Sequence, residues 1–134
     1  MAERYPSGVL DTCTYLDLDV LDPAVLPEIP EITAITLAEL HQGVAMAKDP
    51  AARAARTELL GAAIVEFEPL PFNGEAAARY GSLTALVVVA RRDPRPRKLD
   101  LMIAAIASTN GLPLFTRNPA NFRGLDDVVT VVAV

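Results

Sequence analysis

The chain has a single cysteine, a single histidine and no tryptophan among its 134 residues. Cys13 has no partner with which to close an internal disulfide, so nothing suits the chain to an oxidising compartment, and a reducing cytoplasm is the expected setting. One His and one Cys are too few for a zinc cluster. His41 also lies two residues from Glu39 in one helical pattern, a spacing that points the two apart. No apolar run approaches the roughly 18 residues of a membrane span; the obvious ones are Ala85 to Ala90 and Leu101 to Ala107. Glu3 near the start and Asp11 in the nearby apolar stretch argue against a secretory signal. Aromatic residues make up only 5%, which leaves an aliphatic core, and at 51% hydrophobic the chain is too apolar to stay disordered. A chain of this length buries well over half of its unfolded surface in one domain, residues 1 to 134, and needs no metal or disulfide merely to fold.

Basic residues are in the minority, 12 against 17 acids, for a net charge of −5. That balance excludes a uniformly basic, general nucleic-acid binder. The charge is unevenly spread, with net −8 over residues 1–90 and net +3 over residues 91–134. Five cations fall in one short stretch: Arg91, Arg92, Arg95, Arg97 and Lys98. Such a cluster reads either as a solvated, proline-punctuated loop or as a phosphate contact, because phosphate attraction is local and screened within about 8 to 10 Å at ordinary salt.

Short apolar strands alternate with longer helical patterns, which marks an α/β fold. The spacing predicts strands at Gly8 to Asp11, Glu31 to Ile35, Ile64 to Phe67, Pro113 to Thr116 and Val128 to Val132. Thr12 to Leu18 reads as a helix or turn, and helices are expected at Leu37 to about Lys48, Pro50 to about Ala62, about Gly74 to Arg91 and Leu99 to Thr109. Asp22 to Pro30 reads as a proline-rich loop, Asp49-Pro50 as a helix start and Asn110-Gly111 as a helix stop. Alanines in the 99–109 helix suit it to lie close on a sheet. Strands joined by crossover helices make a mainly parallel sheet with right-handed connections.

Open α/β sheets place their sites beyond the carboxyl ends of the strands. Asp11, Glu39, Asp100, Thr116 and Asn118 all fall at such junctions. Each also has an ordinary structural explanation. Asp11 and Asn118 suit N-caps, Asp100 suits the positive end of a helix, and Thr36-Leu37-Ala38-Glu39 matches a capping box in which Glu39 turns back to an amide. Their combination points further. Three carboxylates gathered at one end of a parallel sheet repel one another unless a cation sits between them, and oxygen ligands suit Mg²⁺ or Mn²⁺, with substrate phosphate completing the coordination.

Four stretches, in order, carry a resemblance: Val9-Leu10-Asp11-Thr12; Ile35-Thr36-Leu37-Ala38-Glu39-Leu40 followed by Gly43; Leu99-Asp100-Leu101-Met102-Ile103-Ala104-Ala105 followed by Ala107; and Leu114-Phe115-Thr116-Arg117-Asn118 followed by Phe122. With them the chain resembles a PIN domain, specifically the VapC-type toxin ribonucleases of type II toxin–antitoxin pairs, over nearly its whole length. The resemblance implies a three-layer α/β/α sandwich with a mainly parallel central sheet. It also implies a Mg²⁺- or Mn²⁺-dependent endoribonuclease that hydrolyses RNA with a metal-activated water and leaves a 5′ phosphate. The implied partner is a VapB-like antitoxin that wraps and inhibits the toxin, in a homodimer or a toxin–antitoxin hetero-oligomer with no membrane involved.

Carried over residue by residue, Asp11, Glu39 and Asp100 match three acidic positions of the family. Asp11 and Asp100 are the expected main metal ligands, Glu39 a ligand through water or a general base, and Thr116 and Asn118 are expected to orient the metal, its waters or the scissile phosphate. Arg117 is placed to contact RNA phosphate, and the 91–98 loop extends that contact. The chain departs from the family at the fourth acid, where it carries Asn118 and Asn121. Asparagine offers a carbonyl oxygen without charge, so a second metal is held more weakly. Tyr15, Leu16 and the Leu37 to Met46 helix are candidate walls for the antitoxin, and an antitoxin arginine reaching the acids would replace the metal. The alternative is a catalytically inactive PIN-like module that binds RNA or a protein partner, which the missing acid favours. Phosphoaspartyl chemistry of the haloacid dehalogenase kind fits poorly, because it needs a second Asp two residues after the first and Cys13 stands there.

Overall fold

Alternation along the first strand, β1 (Ser7–Leu10), organises the molecule. Val9 packs into one buried cluster with Leu83, Leu101 and Leu114, whereas Leu10 packs into another with Leu26 and Phe115. In this computed structural model residues 4–134 are described; Glu3, the leading acid of the sequence, lies outside them. The remaining elements are α1 (Thr12–Leu16), β2 (Ile29–Glu31), α2 (Ala34–Ala45), α3 (Pro50–Glu66), α4 (Gly74–Val89), α5 (Lys98–Thr109), β3 (Leu114–Thr116) and β4 (Val131–Ala133), with two short 3-10 turns between α1 and β2, one before α5 and one after β3.

The four strands pair in the order β2-β1-β3-β4, all parallel. Val9 stands opposite Leu114 and Leu10 opposite Phe115. Helices α4 and α5 cover the Val9 face. Ala104, Ala105 and Ala107 of α5 are fully buried there, small enough to bring the helix backbone close to the sheet. The Leu10 face is closed by Leu18, Leu21 and Leu26 from the turns after α1. Leu18 also joins the cluster in which Tyr15, Ile32, Leu40 and Leu60 tie α1, α2 and α3 together. Tyr15 adds a hydrogen bond from its hydroxyl to the Leu59 carbonyl at 2.9 Å.

Two glycines answer to geometry. A Cβ on Gly8 would lie 2.4 Å from Cε1 of Phe115, so the ring packs where only a hydrogen fits. Gly111 follows α5 with φ +66, the left-handed conformation that ends helices at little cost to glycine.

The α/β architecture and the parallel sheet match the sequence reading, but one strand does not exist. The stretch Ile64 to Phe67, expected as a strand, is instead the last turn of α3 and its cap. Leu60, Ala63 and Phe67, spaced at three and four, turn inward toward Tyr15, while Ile64 and Val65 are 55% and 85% exposed. A short apolar run does not by itself distinguish a strand from the end of a helix, and here helical spacing decides. The second strand lies earlier than expected, at Ile29–Glu31, because Thr33 already caps α2 by accepting from the Thr36 N–H at 3.2 Å. The last strand is shorter and later, Val131–Ala133.

Candidate active site

Parallel strands bring all their carboxyl ends to one edge. The chain passes from β1 outward to β2 and then back across to β3, so the crevice between the ends of β1 and β3 is where the strand order reverses. Asp11 stands there, immediately after β1, with its N–H donating to the Phe115 carbonyl at 3.1 Å. It is 3% exposed, and its Oδ1 accepts from the Thr14 N–H at 3.0 Å, which caps α1 and fixes the carboxyl orientation. Asp100 comes from the first turn of α5, where the helix dipole favours an acid. Glu39 comes from the second turn of α2, half-buried.

Glu39 does not close a capping box. The helix begins at Ala34 rather than Leu37, Thr33 takes the cap, and the Glu39 carboxylate is left to reach across to α1. There Thr12 Oγ1 donates to Glu39 Oε1 at 2.8 Å.

Asp100 senses the other two carboxyls. The Asp100 pKa is pushed up, first by burial and then by the charges of Asp11 and Glu39, against weaker opposing help from Arg97 and from Asn121. Asn121 donates to Asp100 Oδ2 at 3.4 Å. The Cys13 thiol, beside the cluster, is pushed up by partial burial and then by Asp11, Asp100, Glu39 and Asp17. It is therefore held protonated and is a poor nucleophile. The ion pairs found among the described residues, Arg95 with Asp93 and Arg117 with Asp17, involve none of the three acids, and Arg97 acts on Asp100 only from beyond ion-pair distance.

Oxygen donors carrying net negative charge suit a hard divalent cation such as Mg²⁺ or Mn²⁺ better than a soft one. Among the described residues no three Asp, Glu, His or Cys side chains stand close enough together to hold a metal ion as they are. An ion held here would complete its shell with water or substrate oxygens, the usual habit of Mg²⁺.

Two clefts meet at Glu39. One, of about 470 Å³, is lined by Glu39 and Asp100 together with Arg95, Pro96, Lys98 and Leu99, so acids and loop cations share its walls. The other, of about 560 Å³, runs between α1, α2 and α3 and is walled mainly by Leu16, Leu40, Met46 and Leu59, with Lys48 and Arg56 at its rim.

The remaining candidates divide. Thr116 ends β3 fully buried, and its hydroxyl accepts from the Asn118 N–H at 2.9 Å. Asn118 itself is exposed beyond the strand and makes no side-chain cap to the turn that follows. Arg117 reaches Asp17 at 3.0 Å and its N–H donates to Thr14 Oγ1 at 3.2 Å. Arg95 pairs with Asp93, and Arg97 lies near enough to Asp100 to lower its pKa. Arg91 and Lys98 are exposed.

Arg92 donates to the carbonyls of Ala120 and Arg123, both at 3.2 Å, which makes it a strut under the turn that carries Asn121. That pairing spans about thirty residues and had no local signal in the sequence. Thr12 was equally silent, since its partner Glu39 is 27 positions away.

Comparison with known proteins agrees with this architecture. A PIN domain family model matches residues 21–128. The chain is 34% identical to Ribonuclease VapC5 of Mycobacterium tuberculosis over 134 residues, covering 98% of this chain and 96% of that protein. Among solved structures, a member of the VapBC family of toxin–antitoxin systems, VapBC-5 from Mycobacterium tuberculosis, superposes with a TM-score of 0.85 at 34% identity, covering 96% of this chain and 99% of that one. FitAcB from Neisseria gonorrhoeae superposes with a TM-score of 0.70 at 27% identity, covering 92% and 94%. The chain belongs to the PIN-domain family, as a VapC-type member.

Proposed function

We propose that this protein is a divalent-metal-dependent endoribonuclease that serves as the toxin of a toxin–antitoxin pair, with Mg²⁺ or Mn²⁺ held by Asp11, Glu39 and Asp100. The observation that carries the reading is the trio of carboxylates near the strand-order reversal, in which burial first and then the charges of Asp11 and Glu39 raise the Asp100 pKa, and none of which makes an ion pair among the described residues. The 34% identity to Ribonuclease VapC5 and the likeness to VapBC-5 support the RNA substrate and the antitoxin partner.

A bound divalent ion supplies Lewis-acid activation of a phosphodiester and of the attacking water. The chain's own groups do the rest. Asp11 offers a carboxylate whose rotation is arrested by the α1 cap, and Asn121 steadies Asp100. Glu39 leaves Oε2 without a protein hydrogen bond among the described residues. Arg95 and Lys98, on the same cleft as Glu39 and Asp100, attract RNA phosphates toward acids that would otherwise repel them. No side-chain nucleophile is required.

The antitoxin occupies the mainly apolar cleft between α1, α2 and α3, whose lining includes Glu39. An arginine delivered along that cleft would form a charge-assisted pair with the acids and take the place of the metal.

The test is cleavage of a mixed panel of structured and single-stranded RNAs with Mg²⁺, Mn²⁺ or EDTA, beside Asp11→Asn and Asp100→Asn. Cleavage confined to the metal-loaded wild type supports the proposal. Equal inertness of wild type and variants overturns it and leaves an inactive PIN-like binding module.

A further inference from the structure

Hydrogen bonds at the junction of α1 and α2 form a one-way chain. Thr12 Oγ1 donates to Glu39 Oε1 at 2.8 Å and lies 2.9 Å from Thr36 Oγ1. A hydroxyl has one proton to give. Because Thr12 gives it to Glu39, the bond with Thr36 is made with Thr36 as donor. The order is Thr36 to Thr12 to Glu39.

Each link is anchored. Thr36 is fully buried, and its N–H is held by Thr33 Oγ1 at 3.2 Å. It precedes Glu39 by three residues, so the two share a face of α2. Thr12 opens α1 directly after Asp11. Neither helix needs the Thr12 hydroxyl for its own termination: Asp11 caps α1 and Thr33 caps α2. The hydroxyl is spent on the site.

We propose that Thr12, backed by Thr36, is a positioning residue that orients the Glu39 carboxylate beside Asp11 before any ion arrives, engaging Oε1 and leaving Oε2 for the metal. The proposal rests on the metal-dependent reading above and names what holds its third carboxylate. A glutamate has several rotatable bonds, and ordering it costs side-chain entropy. A hydrogen bond from a fixed hydroxyl does that ordering within the folded protein, and partners of this kind characteristically tune metal affinity.

The test uses the full chain with Thr12→Val, Thr12→Ser and Thr36→Val, reading Mn²⁺ binding by calorimetry, RNA cleavage, and melting in EDTA as a control for folding. Valine keeps the branched shape of threonine without its hydroxyl; serine keeps the hydroxyl without the methyl. The expected result is an Mn²⁺ affinity weaker by about ten-fold or more in T12V, restored in T12S, and intermediate in T36V, with cleavage following the same order at saturating RNA. T12V that binds Mn²⁺ as tightly as the wild type, or T12S that binds as weakly as T12V, overturns the proposal while leaving the metal-dependent reading intact. A wild type that binds no Mn²⁺ overturns both.

Discussion

Replacing Asp11 by asparagine and, separately, by alanine divides two roles of one side chain. Asp11 caps α1 through Oδ1 and contributes a charge that raises the Asp100 pKa. Asparagine keeps an oxygen where the Thr14 N–H needs one, and ranks with aspartate as a cap, but removes the charge; alanine removes both. Loss of such a cap costs about 1 kcal/mol. At about 2.1 cal/mol/K of unfolding entropy per residue over 134 residues, that corresponds to about 3 to 4 °C in melting temperature. Relief of repulsion acts in the opposite direction and is common to both variants. In EDTA, therefore, D11N melts at or above the wild type and about 3 to 4 °C above D11A, while both lose metal-dependent RNA cleavage. Thermal unfolding followed by circular dichroism, beside the RNA assay, reads both quantities. Equal melting of the two variants refutes the cap, and D11N melting clearly below the wild type in EDTA refutes the repulsion on which the metal argument stands.

Three further predictions concern neighbouring groups. Asp100 binds its proton more tightly in the folded chain than in the unfolded one, so in EDTA the stability advantage of D100N over the wild type grows as pH rises from the ordinary aspartate range through the raised native pKa, then levels off. Urea unfolding of the pair between about pH 3 and 7 checks this, and a constant difference contradicts it. Arg92→Ala removes two bonds to the 119–123 turn and costs on the order of 1 kcal/mol. Hydrogen exchange at Asn121 to Leu125 then accelerates, which unchanged protection would contradict. Neutralising Arg95, Arg97 and Lys98 together lowers the salt dependence of RNA affinity, by about 0.7 in logarithmic slope for each phosphate no longer neutralised, and leaves Mn²⁺ affinity within a small factor of the wild type. An unchanged slope removes the 95–98 turn from the RNA path.

The parts of this molecule that were legible in its sequence are those with local causes. Asp11 after a buried strand and Asp100 in a first helical turn stand where short-range signals placed them, and Asn110-Gly111 ends α5 as its left-handed glycine requires. The parallel sheet followed from the alternation of strands and helices. Other features needed the folded chain. Ile64 and Val65 look like strand residues until Ala63 and Phe67 turn inward around them on a helix. Glu39 matched a capping box because Thr36 precedes it by three, yet Thr33 three residues earlier takes the cap and frees Glu39 for Thr12. Arg92 sat in a basic cluster whose charge invited a phosphate, but its guanidinium serves two carbonyls of a turn about thirty residues away. Long-range hydrogen bonds of this kind leave no periodic trace.

The central claim is that Asp11, Glu39 and Asp100 hold one divalent cation. Anomalous diffraction at the manganese edge, from crystals of the free protein soaked in Mn²⁺, addresses it directly. The account predicts a peak bounded by carboxyl oxygens of the three acids, absent from D100N crystals under the same soak. A wild-type map with no peak at the strand-order reversal, or with manganese bound only elsewhere on the surface, would contradict it.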